Sequence, residues 1–149
     1  MRAVVQRVTE AFVTSEGLES GRIGAGLCVL LGVETGDTEA DAKYMAGKLV
    51  KLRIFEDDQG KMNRSVIDIG GQILCVSQFT LLGDARGQNR PGFTAAEHPE
   101  EANRLYKLTC KMIREAGVPV ETGVFRTDMK VSLVNDGPVT ILLDSRKTF

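Results

Sequence analysis

Histidine is nearly absent from this sequence of 149 residues, because His98 is the only one. It stands between Glu97 and Pro99, a context typical of an exposed residue at the start of a helix. The chain has no HExxH or CxxC motif and no cluster of histidine with acidic residues, so no zinc site is expected. A Ser-His-Asp triad would have to use His98, and no sequence feature places it near a serine. An enzyme with this sequence is expected to work without a metal, a cofactor or a histidine base.

Long apolar runs are also missing, and cysteine is rare. No run approaches the roughly 20 residues that span a bilayer, and the first residues contain no continuous apolar segment of the kind found in secretory signals. The three cysteines, Cys28, Cys75 and Cys110, lie apart from one another within apolar segments. They resemble small core residues in a reducing compartment. We therefore expect a cytoplasmic protein with no membrane contact.

Neither sign of charge dominates, since 19 Lys and Arg face 20 Asp and Glu for a net charge of -1. This balance argues against a protein that binds nucleic acid strongly and without specificity, although it permits a small basic patch. Hydrophobic residues make up 42% of the chain and charged residues 26%, which is typical of a folded globular protein.

The order of the predicted elements indicates a single domain over residues 1–149 of the α+β class. We expect a mostly antiparallel or mixed β-sheet, or a flattened, barrel-like β-core, with two main helices. The first helix is expected to begin at Asp37 or Thr38, where Asp41 would complete a capping box. The second is expected to begin at Pro99 and to end before Gly117. Strands are predicted at 3–8, 12–14, 18–23, 27–33, 53–56, 72–82, 118–125 and 131–143.

Two segments of the predicted strands carry residues that a buried strand rarely accepts. The first is Ser77–Leu81, with the sequence SQFTL, and the second is Asn135–Thr140, with the sequence NDGPVT. A conflict of this kind between local pattern and local residues is expected at functional sites. Both segments are therefore candidates for such a site.

The hydroxyl groups of the first segment have two interpretations. Ser77 and Thr80 would project to opposite faces of a regular strand, since their separation is odd. A bulge or a strand end between them would bring both into one pocket. In the alternative, both hydroxyl groups only satisfy backbone groups at the end of the strand.

The second segment contains Gly137-Pro138. Proline lacks an N–H for the strand ladder, so it belongs at a sheet edge or a bulge, and glycine permits backbone conformations that other residues avoid. The segment is then either a simple kink with a trans peptide bond or a rigid element that presents its carbonyl groups to a ligand.

On these two segments the sequence resembles the D-aminoacyl-tRNA deacylases, also called D-tyrosyl-tRNA deacylases. Ser77–Leu81 matches the SQFTL motif of that family in full, and Asn135–Thr140 matches its NxGPVT motif. The likeness extends over the chain, including the opening residues 1–8 and the segments Leu52–Phe55 and Lys61–Asn63. The loop from 83 to 93 departs from it, because family members are more basic there and commonly have serine where Gly92 stands.

The resemblance implies a hydrolase that frees a D-amino acid from the terminal ribose of tRNA, a chiral proofreading step in translation, without metal or cofactor. It implies a homodimer in which Gly137-Pro138 is cis, enters the partner's pocket across the interface and rejects L-amino acids. Arg7 would help to hold this dipeptide. The catalytic residues implied are Ser77, Gln78, Phe79 and Thr80, and the further substrate contacts implied are Leu81, Met129, Asn135, Val139 and Thr140.

The chemistry of the first segment favours a mechanism based on backbone and substrate. N–H groups around Phe79 and Thr80 could stabilise the oxyanion, and the vicinal 2′-hydroxyl of the substrate could position or activate water. Thr80 as a covalent nucleophile is the competing mechanism, but it needs an activating base and the sequence offers no candidate. If backbone groups select the hand of the α-carbon, glycine is poorly excluded, so glycyl-tRNA is expected to be hydrolysed too.

The sequence allows two interpretations of the loop arginines and two rival functions. Arg86 and Arg90 are candidates to contact the acceptor end, and ordinary solvated charges are the alternative. A non-catalytic RNA-binding module is one rival function, but the sequence has no RRM- or KH-like motif. An esterase with a Ser or Thr nucleophile that acts on small esters is the other.

Overall fold

The strands and helices occupy most of a computed structural model that describes all of residues 1–149. They confirm the α+β class, with a six-stranded mixed sheet, a separate two-stranded ribbon, and two α-helices. No helix is both long and apolar enough to cross a membrane. In chain order the elements are β1 (Arg2–Ser15), β2 (Leu18–Ile23), β3 (Gly26–Gly32), α1 (Glu39–Lys51), β4 (Phe55–Glu56), β5 (Met62–Arg64), β6 (Gln72–Ser77), a 3₁₀ helix (Phe79–Leu82), α2 (Pro99–Glu115), β7 (Val120–Thr122) and β8 (Met129–Asp144).

The main sheet is organised around β1 and is almost closed into a barrel. Its order is β2-β1-β3-β6-β7, and β8 pairs with β1 along the other edge. β1 is antiparallel to β2, β3 and β8, whereas β3, β6 and β7 run parallel to one another. β2 and β7, the strands at the two ends of this order, approach each other at Gly21, where a Cβ would lie 2.8 Å from the Thr122 carbonyl oxygen. Glycine therefore permits this close approach of the two ends.

Apolar side chains form two clusters on the two faces of this sheet. The larger cluster of 25 residues includes the inner faces of α1 and α2, and the smaller cluster of 7 residues lies among β1, β2, β3 and β6. All three cysteines are buried and free, as predicted. Burial of this amount of apolar surface is the main stabilising contribution to such a domain.

The predicted helix starts are confirmed by their caps. The Thr38 hydroxyl accepts from the Ala40 N–H at 3.3 Å, and the Thr38 N–H donates to Asp41 Oδ2 at 2.8 Å, which completes a capping box. α2 has Pro99 in its first turn, where the missing N–H costs nothing. Gly117 follows its end with a φ of +97°.

Several predicted strand limits are wrong. The strand expected at 72–82 ends at Ser77, because the Gln78 N–H donates the last ladder bond to Leu31 O and the chain then turns into the 3₁₀ helix. The strands expected at 53–56 and 118–125 shrink to β4 and β7, because each pairs with its neighbour over only two or three residues. The two strands expected at 3–8 and 12–14 are one strand, β1, because β8 pairs with both parts.

Candidate active site

The SQFTL segment forms one wall of a large cleft in the chain. Because β6 ends at Ser77 and the 3₁₀ helix begins at Phe79, the odd spacing of Ser77 and Thr80 no longer sends them to opposite faces. Both line the same cleft, which has a volume of about 650 Å³. Clefts of roughly 300–1,000 Å³ are typical of small-molecule sites. The strand end thus brings the two hydroxyl groups into one pocket.

At this turn, two backbone N–H groups come before the first hydrogen bond of the 3₁₀ helix. That bond runs from the Leu81 N–H to Gln78 O at 3.3 Å, and the bond at the other end of the helix connects the Gly83 N–H to Thr80 O at 3.0 Å. The N–H groups of Phe79 and Thr80 precede this series, as the first N–H groups of any helix do. They are therefore not used by the 3₁₀ helix itself.

The Thr80 hydroxyl accepts a hydrogen bond from an amide and has no hydrogen-bond partner that could act as a base. Gln78 Nε2 donates to Thr80 Oγ1 at 2.9 Å. His98 also lines the cleft and is exposed, as predicted, but its imidazole makes no hydrogen bond with Ser77 or Thr80. The sequence did not indicate that His98 lies beside the SQFTL segment, because only tertiary packing brings α2 there.

An aromatic pair, one ring exposed and the other half-buried, lines the cleft. The rings of Phe79 and Phe93 meet edge to face with centroids 5.2 Å apart, and Phe79 is 58% exposed. Phe93 is held by the loop 83–94, in which the N–H groups of Asp84 and Gly92 each donate to the other's carbonyl, at 2.8 and 2.9 Å. An exposed ring that is supported by a second ring and lies next to polar backbone suits a ligand with a flat, apolar part.

The arginines predicted to contact tRNA both lie on this loop. Arg86 Nη2 is 2.7 Å from Asp84 Oδ2, and its hydrogen bond lowers the pKa of the Asp84 carboxyl to about 2. Arg90 is exposed. At Gly92 a Cβ would have only Gln88 Nε2 nearby, at 3.7 Å, so the serine common in the family would fit there.

The NDGPVT segment is a large bulge in β8. Gln6 pairs with Thr140 and Val8 with Asn135, so the four residues 136–139 stand opposite Arg7 alone. Asn135 Nδ2 closes the base of the bulge by donating to Arg7 O at 3.2 Å and Val139 O at 3.0 Å. The Gly137-Pro138 peptide bond is cis, and both residues are exposed.

Arg7 is buried directly beneath this bulge. Its Nε donates to Asp136 O at 3.0 Å and its Nη1 donates to Ile54 O at 2.8 Å. Gly137 leaves room for it, because a Cβ there would lie 2.9 Å from Arg7 Nη2. The arginine implied by sequence therefore touches the implied dipeptide.

Within one chain the two motifs do not line the same cleft. The cleft is lined by Ser77, Gln78, Phe79, Thr80 and Met129, but not by Gly137, Pro138, Leu81, Asn135, Val139 or Thr140. Val139 is buried in the core, and Thr140 Oγ1 accepts from Gln6 Nε2 at 3.4 Å. No three His, Cys, Asp or Glu side chains lie together in a way that could hold a metal ion.

Comparison with known proteins identifies the family. A family model described as D-Tyr-tRNA(Tyr) deacylase matches residues 4–144. The chain is 62% identical over 149 residues to a D-aminoacyl-tRNA deacylase of Anaeromyxobacter dehalogenans (strain 2CP-C) and 60% identical to one of Desulfitobacterium hafniense (strain DSM 10664 / DCB-2), with 100% of each chain covered. A solved c-Myc DNA unwinding element binding protein is 44% identical with a TM-score of 0.91, over 97% of this chain and 98% of that one. The chain therefore belongs to the D-Tyr-tRNA(Tyr) deacylase family.

Proposed function

We propose that this chain hydrolyses D-aminoacyl-tRNA at the SQFTL cleft, with backbone N–H groups as the oxyanion site and the substrate's own 2′-hydroxyl in place of a side-chain base. The reaction class follows from family membership: the chain is a D-aminoacyl-tRNA deacylase, an ester hydrolase that takes part in tRNA proofreading. The catalytic arrangement is the part we propose.

The start of the 3₁₀ helix is the observation that carries this proposal. The N–H groups of Phe79 and Thr80 precede its first hydrogen bond and belong to residues that line the cleft. Backbone donors held rigidly at such a turn need no reorganisation when charge develops on the ester oxygen. Loss of one donor of this kind costs about 10²–10³ in rate in other hydrolases.

The surroundings of Thr80 argue against a covalent mechanism. A threonine nucleophile needs a base that removes its proton, and the partner of Thr80 Oγ1 is the Gln78 amide, which donates a hydrogen bond and cannot accept a proton. An aminoacyl ester is already activated, and its ribose carries a neighbouring hydroxyl group. We therefore assign the positioning of water to the substrate, and neither a metal nor a cofactor is part of the proposal.

Selection against L-amino acids is assigned to Gly137-Pro138 of a second subunit. The dipeptide is exposed, is supported from below by Arg7, and lies outside the cleft of its own chain. A homodimer that inserts this bulge into the partner's cleft would unite the two motifs. Carbonyl groups of the bulge would then face the α-carbon, and Asn135, Val139 and Thr140 would support them by holding the base of the bulge.

The outer side of β8 supports a dimer as well. β8 is paired on one edge only, so a long row of backbone groups is open to a partner. Val134 and Leu142 on this strand are 49% and 59% exposed. Apolar side chains beside an open strand edge are typical of surfaces that meet another chain.

The tRNA acceptor end is assigned to the mouth of the cleft. The exposed Phe79 ring and Met129, which line the cleft, with Leu81 next to them at the end of the SQFTL segment, would offer apolar contact to the terminal adenosine, while Arg86 and Arg90 lie on the adjacent loop. The charge of Arg86 is partly compensated by Asp84, so weak and salt-sensitive binding is expected. A substrate used in translation also fits a cytoplasmic location.

One assay separates this function from its rivals. The protein is incubated with D-tyrosyl-, L-tyrosyl- and glycyl-tRNA and with a small chromogenic ester, with and without a chelator. We expect chelator-insensitive loss of the D-ester, measurable loss of the glycyl ester and stability of the L-ester. Hydrolysis of the chromogenic ester alone would instead favour a small-ester esterase, and binding without hydrolysis would favour an RNA-binding module.

A further inference from the structure

Arg126 is a cation in the cleft that no group of the chain neutralises. It is exposed and lines the same cleft as the SQFTL segment. No carboxylate lies within ion-pair distance of its guanidinium and no carbonyl accepts from it, in contrast to Arg86. The one carboxylate that lines the cleft, Glu97, is engaged elsewhere, because it accepts from the N–H groups of His98 at 2.8 Å and Gly36 at 3.3 Å.

The backbone of Arg126 is held in a conformation that favours glycine. Its φ is +62°, and the Thr127 N–H donates to Val124 O at 3.3 Å, which closes a four-residue turn with Arg126 in third position. A positive φ at the third position of a turn selects glycine or asparagine. A strained arginine at the rim of a functional cleft is better explained by a role for its side chain than by the turn.

The turn is fixed to the body of the protein on both sides of Arg126. Thr127 Oγ1 donates to Val124 O at 2.8 Å and accepts from Ser15 Oγ, the buried end of β1, at 2.6 Å. On the other side, Phe125 stacks on Tyr106 with ring centroids 6.3 Å apart. The Cα of Arg126 is thus held at a constant position relative to the cleft, as a preformed binding site requires.

The substrate class supplies a matching anion. In aminoacyl-tRNA the ester is carried by the terminal adenosine, and the 5′-oxygen of that adenosine carries the first phosphodiester. Guanidinium groups bind phosphate through paired, charge-assisted hydrogen bonds. We infer that Arg126 binds the phosphate on the 5′ side of the terminal adenosine while the ester lies at Phe79 and Thr80, an inference that rests on the proposed function.

The test compares substrates that lack this phosphate with substrates that carry it. Three are used: the D-tyrosyl ester of adenosine, the same ester of adenosine 5′-monophosphate, and D-tyrosyl-tRNA. For Arg126→Gly we expect kcat/KM to fall about tenfold on the last two and to stay unchanged on the first. Since glycine relieves the positive φ, the melting temperature should hold or rise. Arg126→Lys should recover part of the loss.

Salt dependence gives a readout that a structural role would not move. Each phosphate contact with a single strand contributes about 0.7 to the slope of log affinity against log salt. The slope of log kcat/KM for D-tyrosyl-tRNA should therefore be smaller by about 0.7 in Arg126→Gly. Arg64→Ala is the matched control, because it removes one positive charge from β5, outside the cleft, and should leave the slope unchanged.

The outcomes separate this inference from the function on which it rests. If the wild type hydrolyses D-tyrosyl-tRNA but Arg126→Gly loses activity equally on all three substrates, or on none, the phosphate subsite is wrong and the deacylase mechanism stands. An unchanged salt slope would also overturn it. If the wild type fails to hydrolyse D-tyrosyl-tRNA, the proposed function falls and this inference falls with it.

Discussion

Arg7 Nε donates to the carbonyl oxygen of Asp136 at 3.0 Å, one residue before Gly137-Pro138. The same guanidinium donates from Nη1 to Ile54 O at 2.8 Å. One buried side chain therefore links β1, the segment before β4, and the bulge of β8. The planar fork of arginine can serve two carbonyl groups in fixed directions, which the single ammonium of lysine does less well.

Replacement of this arginine should weaken the discrimination between D- and L-aminoacyl substrates. In Arg7→Lys we expect the ratio of D- to L-tyrosyl-tRNA hydrolysis to fall about tenfold, which corresponds to about 1.4 kcal/mol, because the Asp136 carbonyl loses its support. Both rates would be measured on the purified variant, with Arg64→Lys as the control for a surface arginine. A ratio equal to that of the wild type would refute the positioning role of Arg7.

Addition of one methyl group to the dipeptide should have a larger effect. In Gly137→Ala the new Cβ would lie 2.8 Å from Val139 Cγ2 and 2.9 Å from Arg7 Nη2, at a φ of +128°. We expect more than a tenfold loss of D-substrate kcat/KM together with weaker rejection of the L-substrate. Gly24→Ala is the matched control, since nothing lies within 4 Å of its Cβ. Wild-type kinetics on both substrates would contradict the assigned role of the dipeptide.

Removal of the Thr80 hydroxyl should be tolerated. If backbone N–H groups hold the oxyanion, Thr80→Ala loses only the hydrogen bond from Gln78, and kcat should stay within about tenfold of the wild type. Removal of a true nucleophile typically costs about 10⁴-fold or more. Single-turnover hydrolysis of D-tyrosyl-tRNA is the measurement. A folded Thr80→Ala variant that binds substrate and has no activity would favour the covalent mechanism.

A buried ion pair should dominate the stability of the region near α1. The Met1 ammonium lies 2.7 Å from Asp37 Oδ2, with both groups fully buried, and Arg146 Nη2 lies 3.0 Å from Oδ1. Asp37→Asn leaves the ammonium without its counter-charge, so we expect a loss of about 3–5 kcal/mol in the free energy of unfolding. Urea titration measures it. Asp58→Asn, at an exposed pair with Arg64, should change it by less than about 1 kcal/mol.

Asp41 makes the stability of the same region depend on pH. Burial raises the pKa of its carboxyl, but hydrogen bonds from Ser145 and the Thr38 N–H outweigh this and lower it. The folded protein then binds fewer protons than the unfolded chain between the two pKa values, so this contribution is present above about pH 4 and is lost as pH falls further.

Ser145→Ala tests this dependence, because it removes the hydrogen bond of 2.7 Å to Asp41 Oδ1. We expect the variant to be less stable than the wild type at pH 7, and the difference to be smaller at pH 2.5, below the ordinary pKa of aspartate, because protonation of the carboxyl removes this contribution. Ser20→Ala, an exposed serine on β2, is the control. A stability difference that is equal at both pH values would show that Asp41 is not the group involved.

The sequence predicted those parts of the fold that neighbouring residues mark, such as the starts of the helices. Thr38 with Asp41 marked the start of α1 and Pro99 marked that of α2, since caps act through neighbouring residues. The end of β6 at Ser77 was missed because Leu82 continues the apolar pattern into the 3₁₀ helix, where it is buried. The continuity of β1 was missed because Thr9 and Glu10 are both exposed, at a register shift that breaks the alternation.

The parts of the site that depend on tertiary packing could not be predicted from the sequence. SQFTL and NDGPVT were found because their residues conflict with a buried strand. Phe93 and His98 reach the cleft through a loop and a helix that no local pattern directs there. Arg126 could not be predicted for another reason: no glycine or proline marks its turn, and its positive φ is apparent only in the folded structure.

At the bulge opposite Arg7, the length of the chain is independent of the register of the strand pairing, although the two are usually linked. In most strands one inserted residue reverses every side chain beyond it. Here the ladder resumes at Gln6 with Thr140 and at Val8 with Asn135, so the length between those pairs can vary while the sheet keeps its register. A change in the segment that is proposed to select the substrate can therefore alter function without shifting the strand pairing of the domain that carries it.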